Sequence, residues 1–234
     1  CSTAPLTGRR QFKMVSDEAV AQSSISQYNQ MIAELRQNNL LANNTADGQR
    51  INQIGRRISR AVEQYLTANG MQDKIKSLQW EFNLIKSKDI NAFALPGGKI
   101  AFYTGILPVL KTDAAIAFVM GHEIGHVIGG HHAEASSNNA LAGIAAGVTD
   151  ALTGGNIISS LVSDGLSITL LKFNRTQEYE ADKYGMIFMA MAGYNPEEAI
   201  KVQERMAAKG NGSGVDFLST HPSSDKRIQA LKDF

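Results

Sequence analysis

The chain has 234 residues, 43% of them apolar, which is enough to bury a full core. Lys and Arg number 23 against 22 Asp and Glu, so the formal net charge is +1. That balance, with no concentrated basic stripe, excludes a partner held by bulk charge, nucleic acid above all. Arg56, Arg57 and Arg60 read instead as the wet face of a helix.

The only cysteine is Cys1, so no intramolecular disulfide forms and no cysteine helps to cage a metal. A chain that begins Cys-Ser-Thr and runs through Pro5, Gly8 and two arginines resembles a bacterial lipoprotein after signal-peptide removal. That resemblance implies a lipid on Cys1 and a tether over residues 1–16. Ser2, where aspartate would signal inner-membrane retention, implies the periplasmic face of the outer membrane. Membrane contact is expected through this lipid and not through a spanning helix. Ala140 to Phe173 is rich in Ala, Gly, Ile and Leu, but Asp150 and Asp164 interrupt it, as do Gly154, Gly155 and Gly165. No run of about 18 strongly apolar residues survives there.

From Asp17 to about Ala42, Ile25, Tyr28, Ile32 and Leu35 recur at three- and four-residue steps, which predicts a helix. A second helix is expected from Ala46 to Ala68, ending at Asn69-Gly70. Trp80, Phe82 and Leu84 alternate with Glu81 and Asn83, the two-residue repeat of a half-buried strand. Residues 90–95 and 99–104 form two apolar runs around Pro96-Gly97-Gly98 and predict a hairpin. Thr112 or Asp113 is placed to cap a helix running to about Gly130. Further helices are expected over 157–171, 175–192, 196–208 and 223–232. Asn195 would cap the penultimate one, with Pro196 at its first position and Glu197 and Glu198 in its first turn. The fold class is therefore α+β, a small sheet packed on a mainly helical body, with residues 17–234 read as one domain.

His122-Glu123-Ile124-Gly125-His126 lies within the helix that starts near residue 113. Four residues is slightly more than one turn, so both imidazoles project from one face and can share a metal ion. Glu123 stands beside the first histidine, within reach of the proton of a metal-activated water. The helix is otherwise apolar at Ile116, Val119, Met120 and Val127, and burying the polar cluster without a partner costs several kcal/mol. Catalytic zinc wants three protein ligands and an open fourth position. Two residues compete for the third place. His132 satisfies the metzincin spacing His-Glu-x-x-His-x-x-Gly-x-x-His but lacks a methionine turn outside helical pattern. Glu178, in Arg175-Thr-Gln-Glu-Tyr-Glu-Ala-Asp182, shares a helix face with Asp182. Asp182 can hold a ligand histidine's second nitrogen, which favours Glu178. His131 and His132 then read as polar residues at a helix end.

The blocks NAFALPGGKIAFYTG (91–105), AIAFVMGHEIGHVIGGH (115–131), RTQEYEADKYG (175–185) and STHPSSDKRI (219–228) follow one another in a familiar order. With them the chain resembles the gluzincin peptidase family that includes the HtpX heat-shock proteases, the CAAX prenyl proteases and the BepA-like and LoiP-like peptidases. The resemblance implies one zinc per chain at His122, His126 and Glu178, Glu123 as general base and Asp182 behind the ligands. It also implies that Gly98, Lys99, Ile100, Ala101 and Phe102 form an exposed edge strand. Such an edge takes an extended or unfolded polypeptide substrate by strand addition. His221 is expected either to donate to the oxyanion or to cap the open site at rest. The expected function is zinc endopeptidase action on unfolded or misassembled envelope proteins. The competing reading is a chaperone or assembly factor that uses the same groove without cleavage.

Overall fold

The computed structural model describes residues 2–145, 157–161, 167–210, 221 and 225–234. Cys1, with its expected lipid, and much of the Gly/Ala-rich stretch 140–171 lie outside the described residues. Among the described residues no helix is long and apolar enough to cross a membrane.

Two helices lead into the sheet. Helix α1 spans Asp17–Gln37 and α2 spans Ala46–Ala68. Each starts where a hydroxyl accepts a free backbone N–H of the first turn: Ser16 from Ala19, Thr45 from Gly48. Strands β3 (Glu81–Ile85), β4 (Ala92–Leu95) and β5 (Lys99–Tyr103) follow, preceded at the N-terminus by the two-residue strands β1 (Ser2–Thr3) and β2 (Arg10–Gln11). The alternation of side chains sorts the sheet into two faces. Phe82, Leu84, Ala92, Ala94, Ile100 and Phe102 pack into the main core with α2 and the later helices. Ile85, Phe93, Leu95, Ala101 and Tyr103 pack under Tyr28, Met31, Ile32 and Leu35 of α1.

The sheet is therefore covered on both sides, and β3 is not the half-buried strand its pattern predicts. Asn83 shows why a polar residue is tolerated there. It is buried, but it donates to the Tyr28 hydroxyl at 2.9 Å and accepts from Asn43 at 2.6 Å. Tyr28 in turn donates to the Ile100 carbonyl at 2.6 Å. The polar positions face α1 through a closed hydrogen-bond chain, so burial costs them little.

Strand order corrects a second expectation. β5 lies in the middle, antiparallel to β4 (Ala94↔Ile100) and parallel to β3 (Phe82↔Ile100). Gly98 to Phe102 is thus not an edge, because β3 takes the side of β5 that the hairpin leaves open. The outer side of β3 is covered by residues 40–42, with Ala42 donating to the Leu84 carbonyl at 2.8 Å. Among the described residues, β4 pairs only with β5 and carries the free edge.

After β5 come the short α3 (Leu107–Leu110), α4 (Asp113–Ile128, capped by Thr112) and α5 (His131–Ala145). The helix expected over 157–171 is instead an antiparallel pair, β6 (Ile157–Leu161) with β7 (Ser167–Leu171). β-Branched Ile157, Ile158, Ile168 and Thr169 favour strand, and Asp164-Gly165 between them works against a continuous helix. Helices α6 (Arg175–Met191), α7 (Glu198–Gly210) and α8 (Asp225–Asp233) complete the order. Residues 196 and 197 form a turn ahead of α7, so Asn195 accepts from the Glu197 N–H without starting the helix there.

Residues 2–14 are docked and do not behave as the tether expected over 1–16. Arg9 bonds Glu134 and Glu180, and Gln11 donates to the Gly129 carbonyl at 2.7 Å.

Candidate metal centre

The centre is built on the contact between α4 and α6, whose backbones meet at glycines. A Cβ on Gly125 would stand 2.7 Å from the Tyr184 Cβ, and one on Gly121 would stand 3.2 Å from the Gly185 Cα. With no side chains in the way, the Glu178–Asp182 face of α6 comes up against the His122–His126 face of α4. Asn174 fixes the start of α6 through a reciprocal capping box with Gln177.

Four side chains converge there: His122, His126, Glu178 and His221, all buried, with ligand atoms within 4.8 Å of one another. The two histidine Nε2 atoms are 3.2 Å apart, and each lies 3.1 Å from a Glu178 oxygen. His221 Nδ1 stands 3.4 Å from His122 Nε2, 3.3 Å from His126 Nε2 and 2.7 Å from Glu178 Oε1. Two ligands on a tetrahedral zinc at about 2.0–2.1 Å are separated by about 3.3 Å. The donor set fits zinc in both size and kind.

Charge fits as well. Glu123, Glu178 and Asp182 are buried carboxylates, and Arg227 is the buried guanidinium that faces them. Two negative charges remain, which a divalent cation would balance. The excess is visible in the titration of the histidines. Burial opposes protonation of His221, but Glu123 and Glu178 outweigh it and push its pKa up to about 10. Burial likewise opposes protonation of His122, and Glu178 and Asp182 raise it overall. His126 lies well below the usual range because burial dominates there. Burial would raise Glu178, yet His221, Arg227, His122 and His126 hold it far below the usual carboxylate range.

A second set of groups aims the first. Asp182 accepts from His122 Nδ1 at 2.8 Å, which leaves Nε2 with a lone pair for the ion. Arg227 binds both Asp182 oxygens, Nε to Oδ2 at 2.8 Å and Nη2 to Oδ1 at 2.7 Å, and reaches Glu178 at 3.1 Å. Phe173 stacks on the His126 ring at 3.8 Å between centroids. Glu123, one residue past His122, lies 2.9 Å from His221 Nε2.

His132 is elsewhere. Its Nε2 bonds the Ala94 carbonyl of β4 at 3.1 Å, and burial lowers its pKa to about 3. It is absent from the donor cluster, so the metzincin arrangement has no support. His131, read as a polar residue at a helix end, is completely buried against His126. Sequence reasoning also passed over Arg227. The signal for it was a charge deficit, since three carboxylates around one ion require a further cation.

Comparison with known proteins agrees with this geometry. The family model described as peptidase family M48 matches residues 52–234. The chain is 37% identical over 183 residues to the mitochondrial metalloendopeptidase OMA1 of Schizosaccharomyces pombe, covering 76% of this chain and 52% of that protein. It is 30% identical over 170 residues to the metalloprotease LoiP of Escherichia coli, covering 71% and 67% of the two chains. It is 25% identical over 208 residues to the putative beta-barrel assembly-enhancing protease of Vibrio cholerae, covering 83% and 40%. The chain thus spans about half the length of the fission-yeast protein. A match that runs through the helices of His122 and Glu178 alike makes this chain a member of peptidase family M48, whose metallopeptidases use zinc.

Proposed function

We propose that the chain is a zinc endopeptidase that hydrolyses extended or unfolded polypeptides, with His122, His126 and Glu178 holding the ion. The observation that carries this reading is the buried cluster of four donors with Glu123 beside it. When bound, zinc lowers the pKa of a coordinated water toward neutrality and polarises the scissile carbonyl. Glu123 takes a proton from the attacking water as the C–O bond forms and returns it to the leaving amine as the C–N bond then breaks. Asp182 keeps His122 in the tautomer that faces the ion. His221 would supply a fourth donor at rest while its other nitrogen pairs with Glu123, so it would have to leave before substrate could enter. A base held beside the ion serves hydrolysis, whereas a chaperone has no use for one.

The substrate strand is β4. The Tyr103 N–H bonds the Asn91 carbonyl at 3.1 Å, and the antiparallel alternation then turns the backbone groups of Ala92 and Ala94 away from β5. An extended peptide would pair there, displacing His132 from the Ala94 carbonyl. A cavity of about 380 Å³ lies at the end of the strand, lined by Pro96, Gly97, Val127 and His132 among others, and suits a substrate side chain. Envelope proteins are the natural substrates in this reading, and a lipid on Cys1 holds the enzyme at the outer membrane. Support for envelope substrates comes from the likeness to the putative beta-barrel assembly-enhancing protease.

The test is degradation of unfolded casein, expected to stop with a strong chelator and to return with zinc. Persistent cleavage in chelator would overturn the metal reading. Membrane fractionation of cells making the native precursor or a Cys1→Ser copy tests the anchor. Equal amounts of both in the soluble fraction would remove it.

A further inference from the structure

His126 has no carboxylate at its Nδ1, unlike His122, and what stands there is a second imidazole. His131 Nδ1 lies 2.8 Å from His126 Nδ1, and His131 Nε2 lies 3.1 Å from Glu180 Oε1. All three side chains are buried. The approach is shaped by the backbone. Gly130 adopts φ +67° and lets α5 begin at once after α4, folding His131 back over His126. A Cβ on Gly129 would stand 2.7 Å from His131 Nε2, so the ring occupies space that only glycine leaves. Glu180 is held in turn by the N-terminal segment, through Arg9 at 2.8 Å and the Thr7 hydroxyl.

With a single proton on each ring, the polarity of this chain is fixed. A carboxylate only accepts, so His131 Nε2–H donates to Glu180 Oε1. His131 Nδ1 is then a lone pair, and it accepts from His126 Nδ1. His126 Nε2 is left unprotonated and directed at the ion. We propose that His131 and Glu180 are positioning residues that hold His126 in its metal-binding tautomer, as Asp182 does for His122. The N-terminal segment anchors the far end of the relay. This inference rests on the metal reading above.

The experiment compares zinc affinity, by competition with a chromogenic chelator, in the wild type, His131→Gln and His131→Leu. Glutamine can donate to Glu180 and accept from His126, keeping the polarity without the ring. Leucine fills the space with neither. His131→Leu is expected to weaken zinc binding about 10- to 100-fold, and His131→Gln to stay within about 3-fold of the wild type. Wild-type affinity in the leucine variant overturns the relay. So does a glutamine variant as weak as the leucine one, because the ring's packing and not its polarity would then matter. Long-range ¹H–¹⁵N NMR of zinc-loaded wild-type protein gives a reading that needs no variant. His126 should carry its proton on Nδ1 and His131 on Nε2, and a doubly protonated or reversed His131 would refute the assignment. Failure of the wild type to bind zinc at all would instead defeat the metal reading.

Discussion

Arg227 grips both carboxylate oxygens of Asp182 from α8, and Asp182 in turn holds His122. The C-terminal helix is thereby tied to the metal face of α4 through two charged groups, both buried. Breaking such a pair leaves a carboxylate stranded in the interior. Arg227→Met is expected to destabilise the protein by about 3–5 kcal/mol, measured by denaturant unfolding. Arg227→Lys keeps the charge but not the two-pronged geometry, and its stability should fall between the two.

Asp182→Ala removes the acceptor from His122 Nδ1 and is expected to weaken zinc binding about 10- to 100-fold in chelator competition. It also leaves Arg227 without its main partner, so stability should fall alongside affinity. On sequence grounds alone this substitution would be expected to spare the fold. The buried guanidinium of Arg227 is why the fold should weaken as well.

Arg9 joins Glu134 of α5 and Glu180 of α6. Burial works against ionisation of Glu180, but His131, Arg9 and Thr7 outweigh it and hold its pKa at about 2 against an ordinary 4.5. A depressed folded value means the stabilisation is complete above the ordinary value and is lost as pH falls through about 2. Arg9→Ala should therefore cost about 1.5–3 kcal/mol at neutral pH. The gap to the wild type should narrow below about pH 4.5 and close near pH 2, as read from denaturant midpoints across that range. A gap independent of pH would mean that Arg9 acts through packing alone.

Proline substitution separates the two sides of β4. Ala94→Pro deletes an N–H that faces the free edge, a position where proline is tolerated. With one substrate hydrogen bond lost, KM for an unfolded substrate should rise about 10-fold with little change in kcat. Phe93→Pro deletes a ladder bond to β5 instead and should lower the melting temperature sharply. Unchanged KM in Ala94→Pro would place substrate elsewhere.

Local signals carried much of this architecture. Helix α2 runs from Ala46 to Ala68 and stops at Asn69-Gly70 as its pattern predicts, and the His122–His126 spacing put both imidazoles on one face without any tertiary information. What escaped was non-local. Strand β3 and the 90–104 hairpin each have a clear period, but nothing in either says which hairpin strand β3 will join. Arg9 lies 125 residues from Glu134 and 171 from Glu180, so a composition-based reading takes its surroundings for a free tether. His131 follows two glycines at what reads as a helix end, and only the Gly130 turn shows that it returns to His126. The apolar run at 157–171 is short enough to suit either strand or helix, and pairing decided it.

If Glu123 is the base beside a zinc held by other residues, Glu123→Gln separates the chemistry from the metal site. The measurement is casein turnover together with zinc content on the same preparation. Glutamine fills the same space at His221 but cannot take the proton. The expected result is one zinc per chain, as in the wild type, with turnover reduced about 10²- to 10⁴-fold. Full zinc occupancy with undiminished turnover would mean that Glu123 is not the base.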